Sequence, residues 1–399
     1  MKKTIVRIIF ALAMPLMVFT SCIKDELPNT EADILDIILD KDVIISKKIE
    51  NERITVFISP GAYGDRKNIR NISYVLSEGA TIIRGNDSYD YSISHEIEVM
   101  SEDGNWKKTH EVRILEMAFP TDYYFENWSE NRSSTGVYDE CFERLMDDEG
   151  NESDLYIWAS GNMGYRITGK GQNPDDYPTY KTLSQDDANN GAYATILETR
   201  YVGKIGQGSP LAAGNMFIGE FSGKGINIMK EQMKATRFGM PFNKIPKTLK
   251  AWFKYKSGGV INEYNADGDI VGTYTDPANG SNQDYAAIYA IMFDNVKAKD
   301  LYGKNYLDGS TILSSPAEVG RAILTDNDKY GTPTNEHGYP NEYIYKELPF
   351  TFSKAIDPDR LAKYEYSIAI VFSSSYYGAE FKGAPGSKLW VDDVVLECE

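Results

Sequence analysis

The chain has 399 residues, 42% of them hydrophobic, and its 59 acidic residues against 42 basic ones give a net charge of -17. A surface this acidic repels a phosphate backbone or an anionic headgroup on average, which argues against nucleic acid and for neutral or cationic partners. With 28 Tyr and 5 Trp the chain is rich in rings that cover a core while keeping a polar edge for water or a sugar.

The first 22 residues, MKKTIVRIIFALAMPLMVFTSC, open on Lys2 and Lys3, run apolar from Ile5 to Phe19, and place Thr20 and Ser21 before Cys22. A transmembrane anchor needs about 20 apolar residues, and Pro15 and Cys22 interrupt this run too soon. The succession resembles a bacterial lipoprotein signal peptide over residues 1–21, in which Cys22 becomes the lipidated first residue; Phe19 stands where that pattern has an aliphatic side chain. Ile23, Lys24, Asp25 and Glu26 are similar to the acidic sorting signal that sends lipoproteins of Bacteroides-type bacteria to the outer leaflet of the outer membrane. The resemblance implies a surface-exposed lipoprotein that meets the membrane only through its lipid. Residues 22–29 read as a polar tether.

From 30 to 118, the segments DVIISKKI, RITVFIS, NISYVLS, ATIIRG, SHEIEVMS and KKTHEVRILEM alternate apolar and polar residues between Gly, Asn, Asp and Pro signals. Such alternation predicts consecutive strands of a small β-sandwich. EIEVMSEDGNWKKTHEVRI resembles the closing hairpin of immunoglobulin-like or cadherin-like domains in bacterial surface proteins. Nothing in this part converges chemically, so it reads as a spacer.

The texture changes near AFPTDYYFENW. From Phe119 to Glu399 the chain shows short strands between turn residues and no long amphipathic helix; TLKAWFKYKSG, DYAAIYAIMFDNV, LPFTFSKAI and YEYSIAIVFSSS are the clearest, and VINEYNADGDIVGTY turns as a hairpin on Asn265 to Asp269. The length suits one large jelly roll with a core of its own. The last strand, within GSKLWVDDVVLECE, puts Leu389, Val391 and Val395 on one face and Trp390, Val394 and Leu396 on the other, with Asp392 and Asp393 side by side between them. A buried carboxylate must be hydrogen-bonded, solvated or bound to a cation. Cys141 and Cys398 remain beside Cys22, either as a bridge tying the start of this domain to its last strand or as two small buried thiols. His95, His110 and His337 are too scattered for a histidine metal site, and HExxH, CxxC and Walker A patterns are missing.

LYIWASGNMGY, YPTY, GAYATILETR, PLAAGNMFIGEF, FGMPFNKIPKTLKAWFKYKSG, DYAAIYAIMFD and SSSYYGAEFKGAPGSKLWVDDVVL resemble, in order, blocks of the PCMD family, the "putative carbohydrate metabolism domain" abundant in Bacteroides-type bacteria. The resemblance implies an all-β chain, a small immunoglobulin-like sandwich followed by a large jelly-roll sandwich, in a carbohydrate context. It supplies no catalytic residue set. The ending also resembles carbohydrate-binding jelly rolls in which an early Glu and an Asp of the last strand hold a structural calcium. On that pattern Glu126 in FENW, with Asp392 or Asp393 in WVDDV, is a calcium candidate, since Ca²⁺ takes carboxylate and carbonyl oxygens. The alternative is a strand terminus whose carboxylates take backbone or Lys/Arg hydrogen bonds.

Sugar recognition needs flat rings for pyranose CH faces and polar groups for hydroxyls. Trp158, Asn162, Tyr165 and Arg166 on a Gly-containing loop, Tyr376 and Tyr377 before Gly378, and Trp252 between Lys250 and Lys254 have those types; core packing is the alternative for each ring. A glycoside hydrolase needs two carboxylates roughly 5 to 9 Å apart, for which Asp284 and Asp294 are the candidates without a strong claim. Three functions stay open: non-catalytic capture of a glycan or oligosaccharide, glycoside hydrolysis, and a structural or adhesin-like surface role.

Overall fold

The structure, a computed structural model, describes residues 28–399 except 40–41, 147–151, 204–209, 224, 228–230, 266, 336–339 and 341. The leader, Cys22, most of the tether and His337 lie outside the described residues.

The chain is all-β. The six strands expected before residue 118 lie at Ile44–Ile49, Arg53–Ile58, Ile72–Leu76, Thr81–Arg84, His95–Met100 and Lys107–Glu116. The structure adds a seventh, Ile34–Leu39, whose sequence ILDIIL carries too many apolar residues to show a period of two. Five of these form one sheet, in which Arg53–Ile58 and Lys107–Glu116 pair in parallel; Ile34–Leu39 and Ile72–Leu76 form an antiparallel ladder. Ile37 of the ladder meets Ile54, Val56, Ile97, Val99, Val112 and Ile114 of the sheet in one core.

The larger part is a sandwich of two antiparallel sheets. The nine-stranded sheet has at its centre Asn215–Phe221, Tyr366–Ser373, Ala287–Asp294 and Glu318–Ile323, in that order. The six-stranded sheet runs Thr179–Lys181, Thr195–Glu198, Lys388–Cys398, Pro246–Lys256, Ile344–Pro349, with Asp122–Tyr123 also on the terminal strand. Between the sheets lie Met216, Ile288, Met292, Ile368 and Phe372 from one side and Leu249, Phe253, Leu389, Val391, Val394 and Leu396 from the other. Full burial of a side chain such as Phe253 or Phe372 contributes on the order of 2–3 kcal/mol.

Two features position the sites. Ala287–Asp294 is buried on both faces, because its Ala287, Tyr289, Ile291 and Phe293 point away from the main core into a second apolar layer. That layer also holds Phe217, Phe238, Ala369, Val371, Leu307 and Ile312. The other feature is a β-bulge in the terminal strand. Lys250 faces Val395 and Trp252 faces Asp392, so Asp393 and Val394 together oppose Ala251, with Asp393 at φ 44°. The bulge shifts the alternation by one residue and puts Val394 and Leu396 on the same face as Leu389 and Val391, correcting the strict alternation expected from the sequence.

The two parts are joined by more than a linker. Phe57, Leu115 and Met117, all before the expected boundary, belong to the same apolar cluster as Phe119, Tyr123 and Phe242. Lys48 Nζ donates to the Tyr156 carbonyl at 2.8 Å and Arg113 Nη1 to that of Asp154 at 2.7 Å. The Arg53 guanidinium lies 3.3 Å from the centre of the Tyr156 ring and pairs with Glu50 and Glu140. The core of the larger part thus extends across residue 118 into the strands before it.

Candidate functional site

A groove opens over the second apolar layer, with a volume of about 230 Å³. Phe217, Phe238, Ala287, Tyr289 and Val371 form its floor, and Tyr165, Phe221, Gln232, Tyr376 and Phe381 stand around it. Tyr165 is carried by the short helix Asn162–Arg166, which is fixed to the six-stranded sheet by Asn162: its Nδ2 donates to the Thr179 carbonyl at 2.7 Å and its Oδ1 accepts from the Thr179 N–H at 3.2 Å. Gly164 lets this helix close over the groove, since a Cβ there would lie 2.9 Å from the Phe221 ring.

The polar groups of the groove fall into two sets. Asn215, Thr179, Thr236 and Ser373 spend their donors on the protein, on the carbonyls of Ala213, Asn215, Met233 and Ser375 respectively. The hydroxyls of Tyr165, Tyr289 and Tyr376 and the Gln232 amide have no hydrogen-bond partner among the described residues, and the Thr168 hydroxyl accepts from the Lys170 N–H at 3.2 Å but donates to none of them. Tyr165 and Tyr289 are only 7% and 6% exposed, so their hydroxyls have little access to anything but the groove. Burial raises all three phenols above their ordinary pKa and keeps them neutral donors.

Among the sequence candidates, Tyr165 and Tyr376 therefore line the groove, while Asn162 is a buried clamp beneath it. Trp158 is corrected to a core residue: it is buried among Tyr123, Phe125 and Phe372, and its indole N–H donates to Glu143 at 2.8 Å. That burial pushes the Glu143 carboxyl up to about 7. Arg166 points away from the groove, donating to Asn131 at 2.6 and 2.9 Å and lying over the Tyr138 ring. Tyr377 is likewise held elsewhere, its hydroxyl donating to Asp276 at 2.8 Å. Trp252 lies on the other sheet beside half-exposed Tyr345, with ring centres 5.2 Å apart. Sequence reasoning missed Tyr289, Gln232, Phe217 and Phe238. The one polar edge in AAIYAIMF, the Tyr289 hydroxyl, marks that strand but does not by itself tell a groove ring from a core ring.

Asp284 and Asp294 do not form a hydrolytic pair. Asp284 accepts from Ser375 Oγ, Ala384 N and Ser387 Oγ at 2.5–2.8 Å, and burial lifts it to about 6. Burial alone would raise Asp294, yet Arg360, at 2.8 Å from each of its oxygens, and the Lys297 N–H hold it below its ordinary value. Ten residues of mostly extended chain separate the two, roughly 30 Å. That is several times the spacing a glycosidase needs.

Glu126, Asp392 and Asp393 each bond the loop at 189–193. Glu126 accepts from the N–H groups of Ala192 and Tyr193, Asp392 from those of Asn189, Asn190 and Asp393, and Asp393 Oδ2 from the Asn189 side chain at 2.7 Å. A calcium ion would have to displace these N–H groups, and no set of three acidic, His or Cys side chains suited to a metal occurs among the described residues. As arranged here, these carboxylates are spent on N–H groups and do not fit the ion. Cys141 and Cys398 are both free thiols.

An all-β sandwich bearing an aromatic groove on one sheet is the class of protein these observations define. The chain belongs to the PCMD family, described as "putative carbohydrate metabolism domain", whose model matches residues 124–397. A structure from Bacteroides thetaiotaomicron VPI-5482, described as a "putative glycoside hydrolase", is 34% identical, with a TM-score of 0.77 over 94% of this chain and 99% of that one. A second, from Bacteroides vulgatus ATCC 8482 and described in the same words, is 31% identical, with a TM-score of 0.54 over 70% of this chain and 98% of that one. No curated protein matches the chain. A carbohydrate-related function follows from the family.

Proposed function

We propose that the protein is a non-catalytic glycan-binding lipoprotein, anchored at Cys22 to the outer membrane, facing outward and holding a sugar in the groove over the nine-stranded sheet. The observation that carries this reading is the set of unpaired hydroxyls of Tyr165, Tyr289 and Tyr376 with the Gln232 amide, set among aromatic walls. Rings that stack on CH faces and neutral donors that meet hydroxyls are what sugar binding requires. Hydrolysis is the second reading, favoured by the description of the two similar structures. Against it stands the lining of the groove, which has no Asp or Glu among its described residues.

Incubating the protein with the glycans it retains on an array, followed by mass spectrometry, separates the two readings. Retention with the glycan mass unchanged is the expected result; release of shortened products overturns the non-catalytic assignment. The anchor rests on the basic, apolar and small-residue order before Cys22. Cys22→Ala should move the protein from the membrane to the soluble fraction, and continued membrane retention would count against lipidation.

A further inference from the structure

We propose that Phe381 is the platform of the groove, the ring against which it stacks a pyranose that presents an unbroken face of C–H bonds; this rests on the groove being a glycan site. The aromatic lining narrows to this side chain by elimination. Phe217 and Phe238 meet edge to face with ring centres 4.7 Å apart, and they are 0% and 6% exposed. Tyr165 stands edge-on to Tyr177, Tyr376 lies stacked on Tyr285 at 4.9 Å, and Tyr289 and Phe221 pack within the second apolar layer. Phe381 is different. It lines the groove half-buried, belongs to none of the apolar clusters, and touches no other ring among the described residues.

The backbone points the same way. Phe381 sits at φ 60° and ψ 29°, in the left-handed region. A bulky side chain adopts that conformation only where its surroundings impose it, and such residues gather at binding sites. Here the turn itself imposes it, with the Phe381 N–H donating to the Gly378 carbonyl at 3.0 Å and the Lys382 N–H to that of Tyr377 at 3.2 Å. The turn is pinned at its base. Ser375 Oγ before it and the Ala384 N–H after it both donate to Asp284, at 2.5 and 2.7 Å, and the Tyr377 hydroxyl donates to Asp276 at 2.8 Å. Gly378 lets the turn press on its neighbour, since a Cβ there would lie 2.3 Å from that of Ala213. The buried Asp284, which belongs to no hydrolytic pair, thus closes the loop that presents Phe381.

A phenyl ring offers no hydrogen bond, only an electron-rich face that attracts C–H groups, so Phe381 reads the apolar face of a sugar and leaves the hydroxyls to the phenols and Gln232. A ring fixed before the ligand arrives also loses little freedom when it binds.

The test is retention of the full-length protein on an array of neutral oligosaccharides ending in hexoses or N-acetylhexosamines, with melting temperatures measured alongside. Phe381→Gly removes the ring and accepts the left-handed backbone, whereas Phe381→Leu keeps the apolar bulk and the strained backbone but has no flat face. Both should lose about tenfold or more in apparent affinity for the oligosaccharide that the native protein retains best, and Phe381→Tyr should stay within about threefold of native. The melting temperature of Phe381→Gly should stay within about 3 °C of native, because the ring packs in no core. Native affinity in Phe381→Gly or Phe381→Leu overturns the stacking role and leaves the sugar site standing. A loss in Phe381→Tyr as large as in Phe381→Leu overturns it as well, and a fall of about 10 °C or more in Phe381→Gly makes the ring a core residue. Retention of none of these oligosaccharides by the native protein overturns the platform and the glycan site together.

Discussion

Asp392 shows how one side chain reads differently in sequence and in space. Its neighbours mark it as a carboxylate among apolar residues, and the structure buries it completely beneath the loop at 189–193. Burial raises its pKa from 3.8 to about 7, with Asp393 adding to the rise and the N–H groups of Asn190 and Asn189 opposing it. Because the folded value lies above the unfolded one, Asp392 contributes stability below about pH 4 that is lost as the pH climbs through 7. Relative to Asp392→Asn, the native protein should lose about 2–4 kcal/mol between pH 4 and pH 8. Urea titrations of both proteins across that range would measure it, and parallel stability curves would refute the assignment. The sequence could pose this residue as a problem but not solve it, since the partners are backbone N–H groups some 200 positions away, with no side-chain signature.

Strands were the most legible elements, because alternation under a half-buried sheet leaves a period of two. RITVFI and HEIEVM are strands where their patterns put them. The terminal strand is the exception that matters for the site. A bulge is a matter of one extra residue, and WVDDVV fits an alternating strand equally well until the pairing with Pro246–Lys256 is known. Asp393 occupies the left-handed region at φ 44°, which a short polar side chain tolerates and a β-branched one does not. Asp393→Val should therefore cost about 2 kcal/mol or more, and Asp393→Asn less than about 1. Equal denaturation midpoints for the two variants would show that the bulge relaxes at no cost. The doubly buried strand Ala287–Asp294 was legible as a core strand, yet its outward Tyr289 could not be separated from the core rings without the second layer that faces it.

At the scale of the molecule, the order of a small sandwich and a large one was readable from texture, whereas the seam between them was not. Phe57, Leu115 and Met117 look like ordinary core residues of the first part, and only the structure shows them in the core of the second. A fragment beginning at Phe119 exposes that contact and loses Lys48, Arg53 and Arg113 from the junction. It should be less stable than the full chain by on the order of 3–5 kcal/mol, read as a lower melting temperature or as insolubility. An unchanged melting temperature would mean that the two cores are independent after all.

The groove is the central claim, and a crystal of the full-length protein soaked in a neutral glycoside that binds it is the most direct test. The account predicts electron density for one sugar ring above Phe217, with hydroxyls in reach of Tyr165, Tyr289 and Gln232. Density over Trp252 and Tyr345 on the opposite sheet, with the groove empty, would contradict it.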